Sequence, residues 1–306
     1  MNSFDSQPPS DPPEAETQSP PREQPAYAER VAGSAGVDPP AESNMPARVP
    51  HLFRWRDLVI LLVFYLVVGA VLFQLALAAG SALLRTTPEA LQQSASAKVA
   101  VVAISQALLS GATLAFLYLI VRSRSAAPFW PALGWHAFPA APGEGARKTV
   151  VPRAALAARY MLTGAGLAIV IQAASYRLAP DFKVPMEDLF RDRPSVLMMM
   201  ALGILVAPLL EETIFRGCIY PLIARTLGIP AGIVLTGALF GVAHSLQLAG
   251  AWRQVALLSA VGIILTYIRA RTGTVVASYF VHLGYNTLLF AVFYFVTGGL
   301  RNFPSP

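Results

Sequence analysis

Long apolar stretches, each close to the length that crosses a lipid bilayer, recur through most of this 306-residue chain. We place them at about residues 58–84, 99–121, 154–174, 195–225, 229–248, 255–268 and 275–297. A spanning helix needs about 20 mainly apolar residues, and its backbone groups must be satisfied inside the segment. The pattern predicts an all-α, polytopic transmembrane bundle of seven helices, or eight if the fourth stretch breaks near Pro208 or Gly217.

Composition supports a membrane protein. Hydrophobic residues make up 55% of the chain and charged residues 13%, whereas a soluble domain carries about 25% charged residues. The formal net charge of +6 comes with basic residues beside the apolar stretches, where they anchor helices at the membrane surface. We therefore expect the lipid bilayer as a partner and no nucleic acid.

The basic loops predict an orientation. Arg54 and Arg56 precede the first stretch, the linker after the second stretch is the most basic loop, and Arg269 and Arg271 follow the sixth stretch. Cytoplasmic loops carry an excess of Lys and Arg. We expect an integral, multi-pass protein of the bacterial cytoplasmic (inner) membrane with its N terminus in the cytoplasm.

Residues 1–50 are rich in Pro, Ser, Glu and Gln and almost lack large apolar residues, which predicts a disordered cytoplasmic tail. They lack a basic segment followed by an apolar one, so we do not expect a signal peptide. We divide the remainder into N-terminal transmembrane helices with a cytoplasmic linker (51–193), a region with polar motifs (194–298) and a short C-terminal tail (299–306). The single cysteine, Cys218, is expected to be a packing residue.

Two glutamates and an arginine interrupt the fourth apolar stretch. A charged side chain at the bilayer centre costs roughly 2.5–3.5 kcal/mol on insertion scales, so such groups need partners or a water-filled cavity. In a helix Glu212 and Arg216 share a face and can neutralise each other, whereas Glu211 points about 100° away. The pattern predicts a functional site with Glu211 as its free carboxylate; an ion pair that only fixes helix packing is the simpler alternative.

Later stretches carry the other polar groups. Phe240 and His244 lie one helical turn apart, as do His282 and Asn286. Counted from the predicted cytoplasmic ends, Glu211, His244, His282 and Asn286 lie about 21, 22, 10 and 16 Å deep at a rise of ~1.5 Å per residue. Similar depths on three separate helices predict one shared site. His136, in the linker, is expected at the surface instead.

These residue types fit the hydrolysis of an amide. Glu211 with His244 can hold and deprotonate a water molecule, and His282 with Asn286 can donate hydrogen bonds to an oxyanion. Glu211, His244 and His282 are also a plausible three-ligand zinc set with an open water position. The residues leave metal-activated and glutamate-activated water as alternatives, and no cofactor is certain.

The three motifs together resemble those of the CPBP family, the type II CAAX prenyl endopeptidases and their bacterial relatives. They are Glu-Glu-x-x-x-Arg (211–216), Phe-x-x-x-His (240–244) and His-x-x-x-Asn (282–286). The resemblance covers about residues 195–297. It implies an α-helical membrane bundle in which Glu211 and His244 activate water, His282 and Asn286 form the oxyanion site, and Glu212, Arg216 and Phe240 support them.

The resemblance further implies an intramembrane endopeptidase that acts on a membrane-embedded or lipid-anchored protein or peptide. Eukaryotic members of the family remove the last three residues of prenylated CAAX proteins, whereas other relatives are associated with bacteriocin immunity. The alternatives at this point are a non-proteolytic immunity or scaffold protein of the same family and a proton-coupled transporter, because intramembrane Glu and His residues also form proton relays.

Overall fold

The computed structural model describes residues 52–137, 152–178 and 192–300. The tail predicted at residues 1–50 and most of the C-terminal tail lie outside these ranges. The described residues form nine helices: α1 (Trp55–Leu84), α2 (Pro88–Gln93), α3 (Ala95–Arg124), α4 (Phe129–Ala132), α5 (Arg153–Leu178), α6 (Arg193–Leu227), α7 (Ile229–Ala243), α8 (Trp252–Thr272) and α9 (Val275–Val296). The predicted all-α class is confirmed.

Six of these helices, α1, α3, α5, α6, α8 and α9, are long and apolar enough to cross a membrane, which indicates an integral, multi-pass membrane protein. The structure differs from the prediction at the fifth span, which was expected at residues 229–248. Its helix, α7, has only 15 residues, or about 22 Å at 1.5 Å per residue. It ends at Ala243, and turns with left-handed backbone at Ala249 and Gly250 continue the chain.

Helix α6 runs without a break past both positions at which an eighth span could have formed. Two π-helical turns lie within it, Leu202–Val206 and Thr213–Ile219. Each turn ends two residues before a proline, Pro208 or Pro221. A proline removes one backbone donor and its ring crowds the carbonyl one turn earlier. The wider π turn accommodates that ring while the helix continues.

Glycines let the helices approach closely around the polar motifs. A Cβ on Gly164 of α5 would overlap the carbonyl oxygen of Val281 on α9, and a Cβ on Gly284 of α9 would overlap the carbonyl oxygen of Met161 on α5. Helices α7 and α8 meet in the same way at Gly237 and Gly262. Small residues at such crossings allow backbone-to-backbone packing within a membrane.

Residues 133–136, which follow α4, pack against α6 and the start of α9. Leu133 is buried, and the Trp135 indole donates a hydrogen bond to Thr213 Oγ1 on α6 at 3.1 Å. At the start of α9, Thr274 Oγ1 donates to the carbonyl oxygen of His136 at 2.6 Å. The linker between α3 and α5 is therefore tied directly to the two helices that carry the first and third motifs.

Candidate active site

Helix α6 places its two glutamates between the two π turns, in different surroundings. Glu212 and Arg216 have no exposed side-chain surface, and Arg216 Nη1 donates to Glu212 Oε1 at 3.0 Å. Arg216 also donates through Nη2 to the carbonyl oxygen of Gly262 at 2.8 Å, and its guanidinium lies 4.7 Å from the Phe240 ring centroid. The ion pair expected from the spacing is present, and α8 and α7 enclose it.

Glu211 is the accessible carboxylate of the pair, with 23% of its side chain exposed. Its Oε1 lies 3.7 Å from His244 Nε2, and its Oε2 lies 3.7 Å from His282 Nε2. The structure therefore brings together residues from α6, from the end of α7 and from α9. These distances exceed a direct hydrogen bond, and they are compatible with a water molecule held beside the two side chains.

Both histidine rings are oriented through Nδ1. His244 Nδ1 lies 2.7 Å from the carbonyl oxygen of Phe240, and His282 Nδ1 lies 3.0 Å from Glu212 Oε1. A carbonyl oxygen only accepts, and a carboxylate paired with an arginine does the same, so Nδ1 carries the hydrogen in both rings. Each Nε2 therefore faces Glu211, and in a neutral ring it is a proton acceptor.

Asn286 lies one turn beyond His282 on α9 and contacts α6. Its Nδ2 donates to the carbonyl oxygen of Gly203 at 2.7 Å, within the first π turn. Because an amide nitrogen carries two hydrogens, one of them is not used in this bond. Asn286 thus links the third motif to α6 close to the prolines that shape that helix.

The Phe240 ring packs against the polar side chains of the site. It is 1% exposed, and its ring centroid lies 4.8 Å from that of His244 and 5.7 Å from that of His282. The first ring pair is tilted and the second is edge-on, and such close ring contacts restrict imidazole rotation. The structure therefore places Phe240 between both histidines and the guanidinium of Arg216.

Sequence reasoning missed two contributors. The carbonyl of Gly262 accepts from Arg216, and Trp135 reaches Thr213, the residue that follows Glu212. The sequence signal for the contact with Trp135 was limited to Thr213, a polar residue directly after the two glutamates. The expectations for His136 and Cys218 hold, since His136 is exposed and Cys218 is fully buried.

The zinc alternative requires three donors arranged around one metal position. Among residues 52–137, 152–178 and 192–300, no group of three His, Cys, Asp or Glu side chains is arranged to hold a metal ion. Glu211, His244 and His282 are neighbours, yet they do not form a ready ligand set. We therefore assign no step of the chemistry to a metal.

A comparison with models of protein families matches residues 193–288 to one family, described as type II CAAX prenyl endopeptidase Rce1-like. Residues 193–288 form an Rce1-like domain of the type II CAAX prenyl endopeptidase (CPBP) family. This is a family of intramembrane peptidases. The Rce1-like domain contains all the residues of the three motifs and extends from the start of α6 into α9. No curated protein and no solved structure matched the chain.

Proposed function

We propose that the protein is an intramembrane endopeptidase that hydrolyses a peptide bond in a membrane-embedded or lipid-anchored substrate. The observation that carries this proposal is the accessible Glu211 carboxylate, which faces Nε2 of two anchored histidines at 3.7 Å. The adjacent Glu212 is fully buried and already paired. Of these two glutamates, Glu211 is therefore the one that can contact a water molecule and a substrate.

In the proposed reaction, a water molecule stands against Glu211 and His244. The Glu211 carboxylate accepts a proton from the water, and His244 Nε2 accepts a hydrogen bond from it, which aligns the water oxygen for attack on the carbonyl carbon. The bond between carbon and nitrogen then breaks. Glu211 returns its proton to the departing nitrogen, so the reaction yields one carboxylate and one amine.

His282 and Asn286 supply the oxyanion site in this proposal. The remaining hydrogen of Asn286 Nδ2 is one donor. His282 is the other, and because its Nδ1 hydrogen is directed to Glu212, it donates through Nε2 in the imidazolium form. Loss of one oxyanion donor typically costs about 2.7–4 kcal/mol of barrier.

The site lies among membrane helices, which favours a substrate that is itself in or on the membrane. A prenylated CAAX protein is the substrate class that the family description names. We propose that the chain lies in the bacterial inner membrane with its N terminus in the cytoplasm, since Arg122 and Arg124 at the end of α3 and Arg269 and Arg271 at the end of α8 are basic and would mark the cytoplasmic side.

The test is cleavage of a quenched fluorescent, prenylated CAAX peptide by the purified protein in liposomes. Glu211→Gln should lower the rate at least about 100-fold, because general-base catalysis contributes on the order of 10²–10⁴. Glu89→Gln, at an exposed acidic residue on α2, is the matched control and should retain the rate. Cleavage that persists in Glu211→Gln would remove the proposed base, and a parallel arm with a chelator reports on metal dependence.

A further inference from the structure

The starts of α5 and α9 border a cavity that is separate from the candidate active site. Its volume is about 320 Å³, at the lower end of the range for small-molecule sites. Both helices are long and apolar enough to cross a membrane, so the shared cavity places their first turns on the same side of it. The lining residues are Ala137, Arg153, Ala154, Ala157, Val276 and Phe280.

The close crossing of α5 and α9 accounts for this cavity. The backbones of the two helices meet at Gly164 and Val281, and the lining residues of both helices come before that contact in the chain. The side chains of Ala154 and Ala157 are too short to fill the space between the first turns. The fold therefore leaves an apolar gap between the two helices.

The linker borders the cavity at a fixed position. The carbonyl oxygen of His136 accepts a hydrogen bond from Thr274 Oγ1 at 2.6 Å. The carbonyl oxygen of Gly134 accepts one from the backbone N–H of Val275 at 2.9 Å. Ala137, which lines the cavity, directly follows His136. The linker wall is therefore held against the start of α9 by hydrogen bonds.

Arg153 is the charged residue among those that line the cavity. It is the first residue of α5 and is exposed, and basic residues at the ends of spanning helices lie at the membrane surface. Within residues 52–137, 152–178 and 192–300, its side chain makes no hydrogen bond and no ion pair. A guanidinium carries five N–H donors, so Arg153 offers a cation with available donors beside an apolar gap.

A second cavity, between α1 and α3, differs in this respect. Its volume is about 300 Å³, and its lining includes Tyr65, Ser105 and Gln106 but no charged residue. Such a lining can hold apolar groups without distinguishing the charge of the molecule that carries them. The cavity between α5 and α9 combines both features, because its apolar walls end at an arginine.

We propose that the cavity between α5 and α9 binds a phospholipid with an anionic headgroup. An acyl chain lies against the apolar lining, and the headgroup phosphate pairs with the Arg153 guanidinium through two parallel hydrogen bonds. Basic pockets between membrane helices on the cytoplasmic side suit the anionic lipids of that leaflet. The proposed topology places the cavity on this side, because α9 begins four residues after Arg271.

A lipid in this cavity connects the two crossing helices. It contacts α5 through Arg153 and α9 through Phe280, which lies two residues before His282. A ligand that binds the folded protein alone stabilises it by mass action. The lipid therefore stabilises the helix that carries the third motif, and this inference does not depend on the peptidase proposal.

The experiment measures lipid binding to the purified, delipidated protein in a neutral detergent. Native mass spectrometry follows the first bound lipid during titration with phosphatidylglycerol or with phosphatidylcholine of identical acyl chains. We expect the Kd of phosphatidylglycerol to be at least about fivefold lower, as one arginine near the membrane surface provides. At equal concentration, phosphatidylglycerol should also raise the thermal unfolding midpoint by more than phosphatidylcholine does.

Two pairs of variants separate the headgroup contact from the acyl-chain contact. Arg153→Gln should reduce the preference to within about twofold, whereas Arg177→Gln, at an exposed arginine near the opposite end of α5, should keep it. Ala157→Phe fills the cavity and should weaken the binding of both lipids at least about tenfold, the equivalent of two buried methylenes. Ala158→Phe, at the exposed neighbouring position, should leave both affinities unchanged.

Three results would overturn the proposal directly. They are equal affinity for the two lipids in the unaltered protein, a preference that survives Arg153→Gln, and lipid binding by Ala157→Phe that equals that of Ala158→Phe. Inorganic phosphate at the concentration of the lipid should not displace it, since phosphate lacks the acyl chains. Displacement would assign the site to a free anion and would also overturn the proposal.

Discussion

Two adjacent glutamates in α6 illustrate what a single residue position decides in a membrane protein. Glu212 is fully buried against Arg216, whereas 23% of the Glu211 side chain is exposed. Both residues have the same chemistry, and about 100° of helical rotation separates their side chains. That rotation gives one carboxylate a structural partner and leaves the other one available for chemistry.

Arg216→Ala should destabilise the protein strongly. The substitution would remove the hydrogen bonds to Glu212 and to the Gly262 carbonyl and leave a buried, unpaired carboxylate. Breaking a buried ion pair from one side costs about 3–5 kcal/mol. Thermal unfolding in detergent measures the effect, with Arg122→Ala, at an exposed arginine of α3, as the control that should change stability by less than about 0.5 kcal/mol. An unaltered Arg216→Ala protein would show that the pair is not structural.

At the scale of the element, the π turns of α6 follow from its prolines. The turns at Leu202–Val206 and Thr213–Ile219 lie on either side of Glu211 and Glu212, and π turns are frequent at functional sites. The first of them presents the carbonyl of Gly203, to which Asn286 donates. Local chain chemistry in α6 thus creates a contact point for the third motif on α9.

The crossing of α5 and α9 offers a matched pair of substitutions on one helix. Gly164→Ala would overlap the backbone of α9 at Val281, close to His282, whereas a Cβ on Gly166 meets nothing within 4 Å. We expect Gly164→Ala to lose about 1–3 kcal/mol through overpacking and Gly166→Ala to be neutral or to gain up to about 1 kcal/mol from higher helix propensity. The measurement is the thermal unfolding midpoint of each variant in detergent. Equal midpoints would contradict the close crossing of α5 and α9.

At the scale of the whole molecule, the proposed orientation can be tested with single cysteines. Cys218 is fully buried and should stay unlabelled in the folded protein. In spheroplasts a membrane-impermeant maleimide should label Thr86→Cys, between α1 and α2, because that loop is expected outside. It should label Ser125→Cys, after α3, only once the membrane is permeabilised. The reverse pattern would invert the proposed topology.

Much of the fold was predictable from the sequence because hydrophobic length dominates membrane insertion. Helices α1, α3, α5, α8 and α9 lie where the apolar stretches predicted them. The end of α7 was not predictable in this way, since residues 244–248 are not polar enough to signal the turns that follow Ala243. The division of the chain into an N-terminal and a motif-bearing region stays a prediction.

The sequence by itself determined the helical class and the Glu212–Arg216 pair, and it predicted that polar groups of three helices share one site at similar depths, because these depend on spacing along single helices and on the cost of charge in lipid. Only the tertiary structure decided that Glu211 faces both Nε2 atoms, that Glu212 orients His282, and that Trp135 contacts the residue after Glu212. Those relations join elements far apart in the chain, and they depend on how glycine crossings and π turns rotate the helices against each other.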